Sequence, residues 1–205
     1  VQTAIELPRE RWPLAASGAL AGPVVRYWSE LLVFVLTALL LGRIPRSPLA
    51  TREWLLLGLG LSTQSWSVFA LVAAWFFALR WRAQWQAAGI ASWRYNAVQV
   101  LLALFTAVAL GSLLFSGIRY GFLSAPDMGV AGAGSQGGHF AWFHDRSRGA
   151  LPQASVWSLP LWCYKAAMFA WALWIALALS RWLRWAWDAW SSGGTHRAGA
   201  GSAAA

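Results

Sequence analysis

The side chains in this sequence with the means for chemistry are few and far apart. Glu30, Gln64 and Lys165 stand inside or at the edge of apolar runs, and an ionisable or amide group at membrane depth is first a candidate for an ion or proton path. His139, His144 and Asp145 share the stretch "HFAWFHDR". A metal there would need a third or fourth donor, and two histidines five residues apart in a glycine-rich segment do not form a recognised ligand pattern. Cys163 is the single cysteine; it cannot close an intramolecular disulfide, and its apolar neighbours suit a small hydrophobe better than a reactive thiol. No Walker A loop, dinucleotide fingerprint, HExxH or nucleophile elbow occurs, and no carboxylate pair falls within an apolar run. The sequence therefore predicts no catalytic residue, no metal site and no cofactor, and a chain that is not an enzyme.

The elements that must carry these residues are set by composition. Of 205 residues, 59% are hydrophobic and 11% charged, against about 25% charged in a soluble domain, so polar surface for a water-soluble fold is lacking. The net charge of +9 comes from sixteen basic and seven acidic residues. The basic ones cluster at the ends of apolar runs, which serves topology and headgroup contact rather than nucleic-acid binding. The chain opens at Val1 with no short apolar core and small-residue cleavage site, so no attached signal peptide is predicted.

A spanning helix needs about 20 mostly apolar residues, and four segments meet that requirement. The predicted fold is all-α: a polytopic membrane protein with transmembrane helices over about 24–42, 54–79, 97–118 and 158–180, the last with an interfacial extension to 190. In the first, Arg26 and Glu30 stand four apart and can pair. In the second, "STQS" at 62–65 is read as a polar waist within one helix, because splitting there would leave two pieces too short to cross; Ser47 and Pro48 give it an N-cap and first turn. The third is free of charge and flanked by aromatic and basic residues. Residues 1–22 form an N-terminal segment, 121–153 a loop too glycine-rich for regular structure, and 191–205 a low-complexity, disordered tail. Four spans put both termini on one side, with nine arginines there and six on the other.

Lys165 lies sixteen residues before Arg181, roughly 24 Å along a helix, so its amine is within snorkelling reach of the far headgroups. On a helical wheel Trp157, Tyr164, Trp171, Trp174, Trp182 and Trp185 fall within about 100° of one another. That stripe is read as a helix-packing, lipid or partner interface, with a pigment or quinone shelf as the alternative. Small residues recur at every fourth position, as at Ala103, Ala107 and Gly111, a spacing that lets membrane helices approach closely.

The runs "RYWSELLVF", "WLLLGLGLSTQSWSVFALVAAWFFALRW" and "LPQASVWSLPLWCYKAAMFAWALWIALALSRWLRWAW" resemble the C-terminal membrane region of large proteobacterial inner-membrane proteins of no established activity. The resemblance implies a bacterial inner (cytoplasmic) membrane, multi-pass, and a lost N-terminal portion. The function expected is a non-enzymatic membrane subunit that anchors or scaffolds a larger assembly, its partners being lipid and other membrane subunits, not nucleic acid. The alternatives are a small transporter or channel subunit lined by Glu30, Gln64 and Lys165, or a cofactor-holding subunit built on the tryptophan stripe.

Overall fold

A computed structural model describes residues 2–18, 22–64, 66–85, 91–117, 119, 124–143, 153–191 and 194. Among the described residues are five helices and six short strands: β1 (Gln2–Glu6), β2 (Arg11–Ser17), β3 (Val24–Val25), α1 (Tyr27–Arg43), α2 (Thr51–Leu61), α3 (Trp66–Gln84), α4 (Ser92–Ser116), β4 (Val130–Ala131), β5 (His139–Phe143), β6 (Ser155–Pro160) and α5 (Leu161–Ser191).

The expected all-α, four-span architecture is overturned in three places. The first is the second span. It breaks at Ser62–Gln64 into α2 and α3, and the chain reverses there. Trp54 and Phe76 have ring centroids 5.9 Å apart, whereas 22 residues of straight helix would separate them by about 33 Å. Serine and threonine hydroxyls compete with the helical backbone for hydrogen bonds, and here Ser62 Oγ donates to Leu59 O at 2.7 Å while Gln64 N donates to Leu61 O. What reads as a polar waist is a turn. The N-terminal boundary moves too: α2 opens at Thr51, its Glu53 carboxylate accepting from Ala50 N at 3.2 Å, and Ser47 Oγ instead accepts from Trp54 Nε1 at 2.8 Å.

The second correction is the sheet content. Three antiparallel two-stranded ribbons join the N-terminal residues to the α4–α5 connection: β1 with β5, β2 with β6, and β3 with β4. The connection is glycine-rich, yet partner strands supply the hydrogen bonds that a lone loop lacks, and Phe140, Ala141 and Trp142 of β5 are buried. Gly132 permits the turn after β4: its φ of +105° is costly for an L side chain, and a Cβ there would stand 3.0 Å from Gly22 O. Because β6 runs straight into α5, Trp157 lies on a strand, off the helical stripe, and is 72% exposed. The ribbons also place the N-terminal strands at the start of α5, about 46 Å from its end at Ser191. The described ends of the chain therefore lie at opposite ends of the bundle, not on one side.

The third correction is the number of spans. Among the described residues two helices are long and apolar enough to cross a membrane, α4 with 25 residues and α5 with 31, their best windows having mean hydropathy 2.3 and 1.5. With 17 residues α1 reaches about 26 Å and with 11 residues α2 about 17 Å. Helix α3 has 19 residues but carries Arg80, Arg82 and three tryptophans. The low-complexity tail, apart from Ser191 and Gly194, lies outside the described residues.

Aromatic side chains hold the helices together. Phe34, Trp54, Phe69, Phe76 and Trp182 form one buried cluster, with edge-to-face contacts between Trp54 and Phe69 and between Phe76 and Trp182. Trp171 of α5 lies flat over Gly60 and donates Nε1–H to Leu56 O at 2.9 Å. A Cβ at Gly60 would fall within that indole, whereas one at Gly58 would stand 3.7 Å from Ala38 Cβ, an ordinary contact. Gly60→Ala is therefore expected to lower stability by about 1–3 kcal/mol through overpacking. Gly58→Ala should be neutral or stabilising by up to about 1 kcal/mol from helix propensity. Thermal unfolding of both variants in detergent checks the pair, and equal melting would contradict the packing described.

Candidate functional site

Two polar clusters interrupt the apolar bundle, at its opposite ends. The first is a crevice of about 490 Å³ where α1 begins and α2 turns into α3, lined by Arg26, Glu30, Ser62, Thr63, Gln64, Asp127 and neighbours. Arg26 and Glu30, one helical turn apart, approach to 3.8 Å with both side chains largely open to solvent. Asp127 Oδ1 accepts from Gly129 N at 2.8 Å, an Asx turn that fixes the carboxylate at the crevice wall. Tyr27 OH lies 3.0 Å from Ser62 Oγ, and Tyr164 OH donates to Thr63 Oγ1 at 3.4 Å. Both phenols thus tie the turn to α1 and α5. The Gln64 amide is different: its nitrogen and oxygen are buried with no hydrogen-bond partner among the described residues, a status shared elsewhere by Arg80 Nε and Trp182 Nε1. A buried amide left so costs about 1–3 kcal/mol, which is why such groups concentrate where they have a task.

The second cluster is closed. Arg82 of α3 is 1% exposed. Its guanidinium donates to Tyr95 OH at 2.7 Å, to Gln99 Oε1 at 3.4 Å and to Trp190 O at 3.4 Å. The same cation lies 5.3 Å from the Tyr95 ring centroid and 5.7 Å from that of Trp85, so aromatic faces add to its stabilisation. Gln99 Nε2 donates to Trp190 O and Gly194 O, both at 3.1 Å, and Tyr95 OH donates to Gly194 O. A cation at the carbonyl end of a 31-residue helix complements its dipole. This cluster is a cap for α5.

Glu30 and Gln64 share the crevice, whereas Lys165 is exposed on α5 and is not among the lining residues, so the three do not line one path. Tyr164 and Trp182 are buried, and Trp171, Trp174 and Trp185 pack against the core from its margin. Ala103, Ala107 and Gly111 face outward from α4, and a Cβ at Gly111 would meet nothing within 4 Å. Ala103 borders an apolar groove of about 230 Å³ between α3, α4 and α5. His139 sits on β5 with Nδ1 3.9 Å from Glu6 Oε1, while His144 and Asp145 lie outside the described residues. Among the described residues no three His, Cys, Asp or Glu side chains come together as a metal site. Cys163 is half-buried and free.

Arg82 and Asp127 were not legible as site residues. Arg82 reads as one more interfacial arginine; the signal for Asp127 was local, an acid two residues before a glycine in "SAPDMG". No protein family, characterised protein or solved structure matches the chain.

Arg82→Ala removes the fork that joins α3, α4 and the end of α5, and is expected to cost about 2–4 kcal/mol. Arg82→Lys, a point donor without the planar fork, should recover little of it. Thermal unfolding together with the rate of proteolysis beyond Trp190 checks this. A variant as stable and as resistant as the parent would show that the cluster does not cap α5.

Proposed function

We propose that this chain is a non-enzymatic integral membrane subunit, multi-pass in a bacterial inner membrane, that anchors or scaffolds a larger membrane assembly. The observation that carries the reading is the burial of its two longest helices. Only 22% of each apolar window of α4 and α5 is buried within the chain. The core helix of a water-soluble protein hides such a surface, whereas these helices turn it outward to lipid or to other helices. Val100, Leu101, Leu104, Val108, Leu114 and Phe115 of α4 are all exposed. Between them the outward row Ala103, Ala107 and Gly111 leaves a shallow track that another helix can approach closely.

The aromatic stripe supports the same reading over a pigment or quinone shelf. Trp171 is hydrogen-bonded to α2 and lies over Gly60, and Trp182 is wedged against Phe76 and Trp174. These indoles are spent on internal packing. A photo-crosslinking residue placed at Ala107 in cells should give a discrete protein adduct in the membrane fraction, and one at Trp182 should not. Adducts with lipid alone at Ala107, or recovery of the chain in the soluble fraction, would overturn the assignment.

A further inference from the structure

The crevice at the α2–α3 turn is continuous with an apolar track on α1, and the two together have the chemistry of a lipid. Arg26 and Glu30 head a row on one helix face that continues through Val33, Thr37, Leu40 and Ile44, at steps of three and four residues. Val33, Leu40 and Ile44 are exposed, and the one polar group among them, Thr37 Oγ1, is tied to Val33 O at 2.8 Å. From Glu30 to Ile44 the track runs about 21 Å.

At its head the crevice offers both signs of charge. The Arg26–Glu30 pair, at 3.8 Å and with side chains 65% and 47% exposed, is longer than the 2.7–2.9 Å of a direct charge-assisted hydrogen bond, so the two charges do not saturate one another and both face solvent. Asp127, exposed and lining the same crevice, adds a second carboxylate. A simple anion would face two carboxylates there, and a simple cation would face Arg26. A zwitterion satisfies both.

We propose that this site binds the headgroup of an aminophospholipid, its phosphate on Arg26, its primary ammonium between Glu30 and Asp127, and one acyl chain along Val33, Leu40 and Ile44. The assignment rests on the membrane reading above. A free zwitterion with the same ammonium and phosphate shares the headgroup chemistry but has no use for the apolar track.

The test is native mass spectrometry of the full chain released from mixed detergent and lipid micelles. Phosphatidylethanolamine and phosphatidylcholine of equal chain length are compared, with free phosphoethanolamine as competitor. Phosphatidylethanolamine should be retained at least about tenfold better than phosphatidylcholine, whose trimethylammonium donates no hydrogen bond. Asp127→Asn with Glu30→Gln, and Arg26→Gln separately, should each abolish that preference. Because these side chains are exposed, melting temperatures should stay near the parent value, and a variant that fails to fold is replaced by Leu40→Ser, which spares the headgroup contacts and should shorten retention. Equal retention of the two lipids, or variants that keep the preference, would overturn the site while leaving membrane insertion intact. Competition by free phosphoethanolamine as effective as by the lipid would overturn the lipid assignment. A chain that stays soluble without detergent and retains no lipid would remove the membrane reading and this proposal together.

Discussion

The reversal of the chain at Ser62–Gln64 is the constraint on which the rest of the bundle depends. Without it α2 would continue away from α3, and Trp54 could not reach Phe69 and Phe76. With it, one face of the hairpin takes α1, through Phe34 and Ala38, and another takes α5, through Trp171 and Trp182. The turn is held from both sides by hydroxyl pairs, Tyr27 with Ser62 and Tyr164 with Thr63. The Tyr27–Ser62 bond is buried and the Tyr164–Thr63 bond partly so, and a hydrogen bond shielded from water is stronger than an exposed one, so a few well-placed hydroxyls fix the turn. Gln64, the last residue of the turn, lines the crevice with its amide buried.

Tryptophan suits this architecture for a physical reason. Each indole brings a large apolar body and one donor, and although Trp182 Nε1 is buried with no partner among the described residues, other indoles of the bundle find an acceptor. Trp54 finds Ser47, Trp75 finds Thr106, Trp171 finds Leu56 O and Trp190 finds Gln99 O. Three of these four bonds cross from one helix to another and the fourth ties α2 to the loop before it, so the same residue packs the interface and sets its register. The two ends of the bundle differ in kind. At the strand end the polar groups border an open crevice, while at the far end Arg82, Tyr95 and Gln99 are consumed in holding the end of α5.

Sequence patterns made parts of this visible. The charge-free run of α4 and the long run of α5 stand out because uninterrupted hydrophobicity needs no context to be read. The i,i+4 relation of Arg26 and Glu30 follows from helical geometry alone. The hairpin did not show, because a serine- and threonine-containing stretch fits a continuous membrane helix and a turn equally well. Only long-range contacts such as Trp54 with Phe76 choose between them. The ribbons were hidden for a related reason: β1 and β5 lie more than a hundred residues apart, and a glycine-rich stretch announces neither its partner nor its register. Of the polar residues, Glu30 and Gln64 were recognisable by their depth in apolar runs. Asp127 enters the crevice only because the β3–β4 pairing brings its segment to the start of α1.

The hairpin is tested most directly by a distance measured across it. Spin labels at Arg52 and Trp81, both exposed, with Cys163 replaced by serine, report the separation by pulsed electron paramagnetic resonance in lipid. An antiparallel hairpin with helices packed about 10 Å apart predicts a distance below about 25 Å. A distance near the ~44 Å of an unbroken helix between the same residues would contradict the fold described, and with it the crevice.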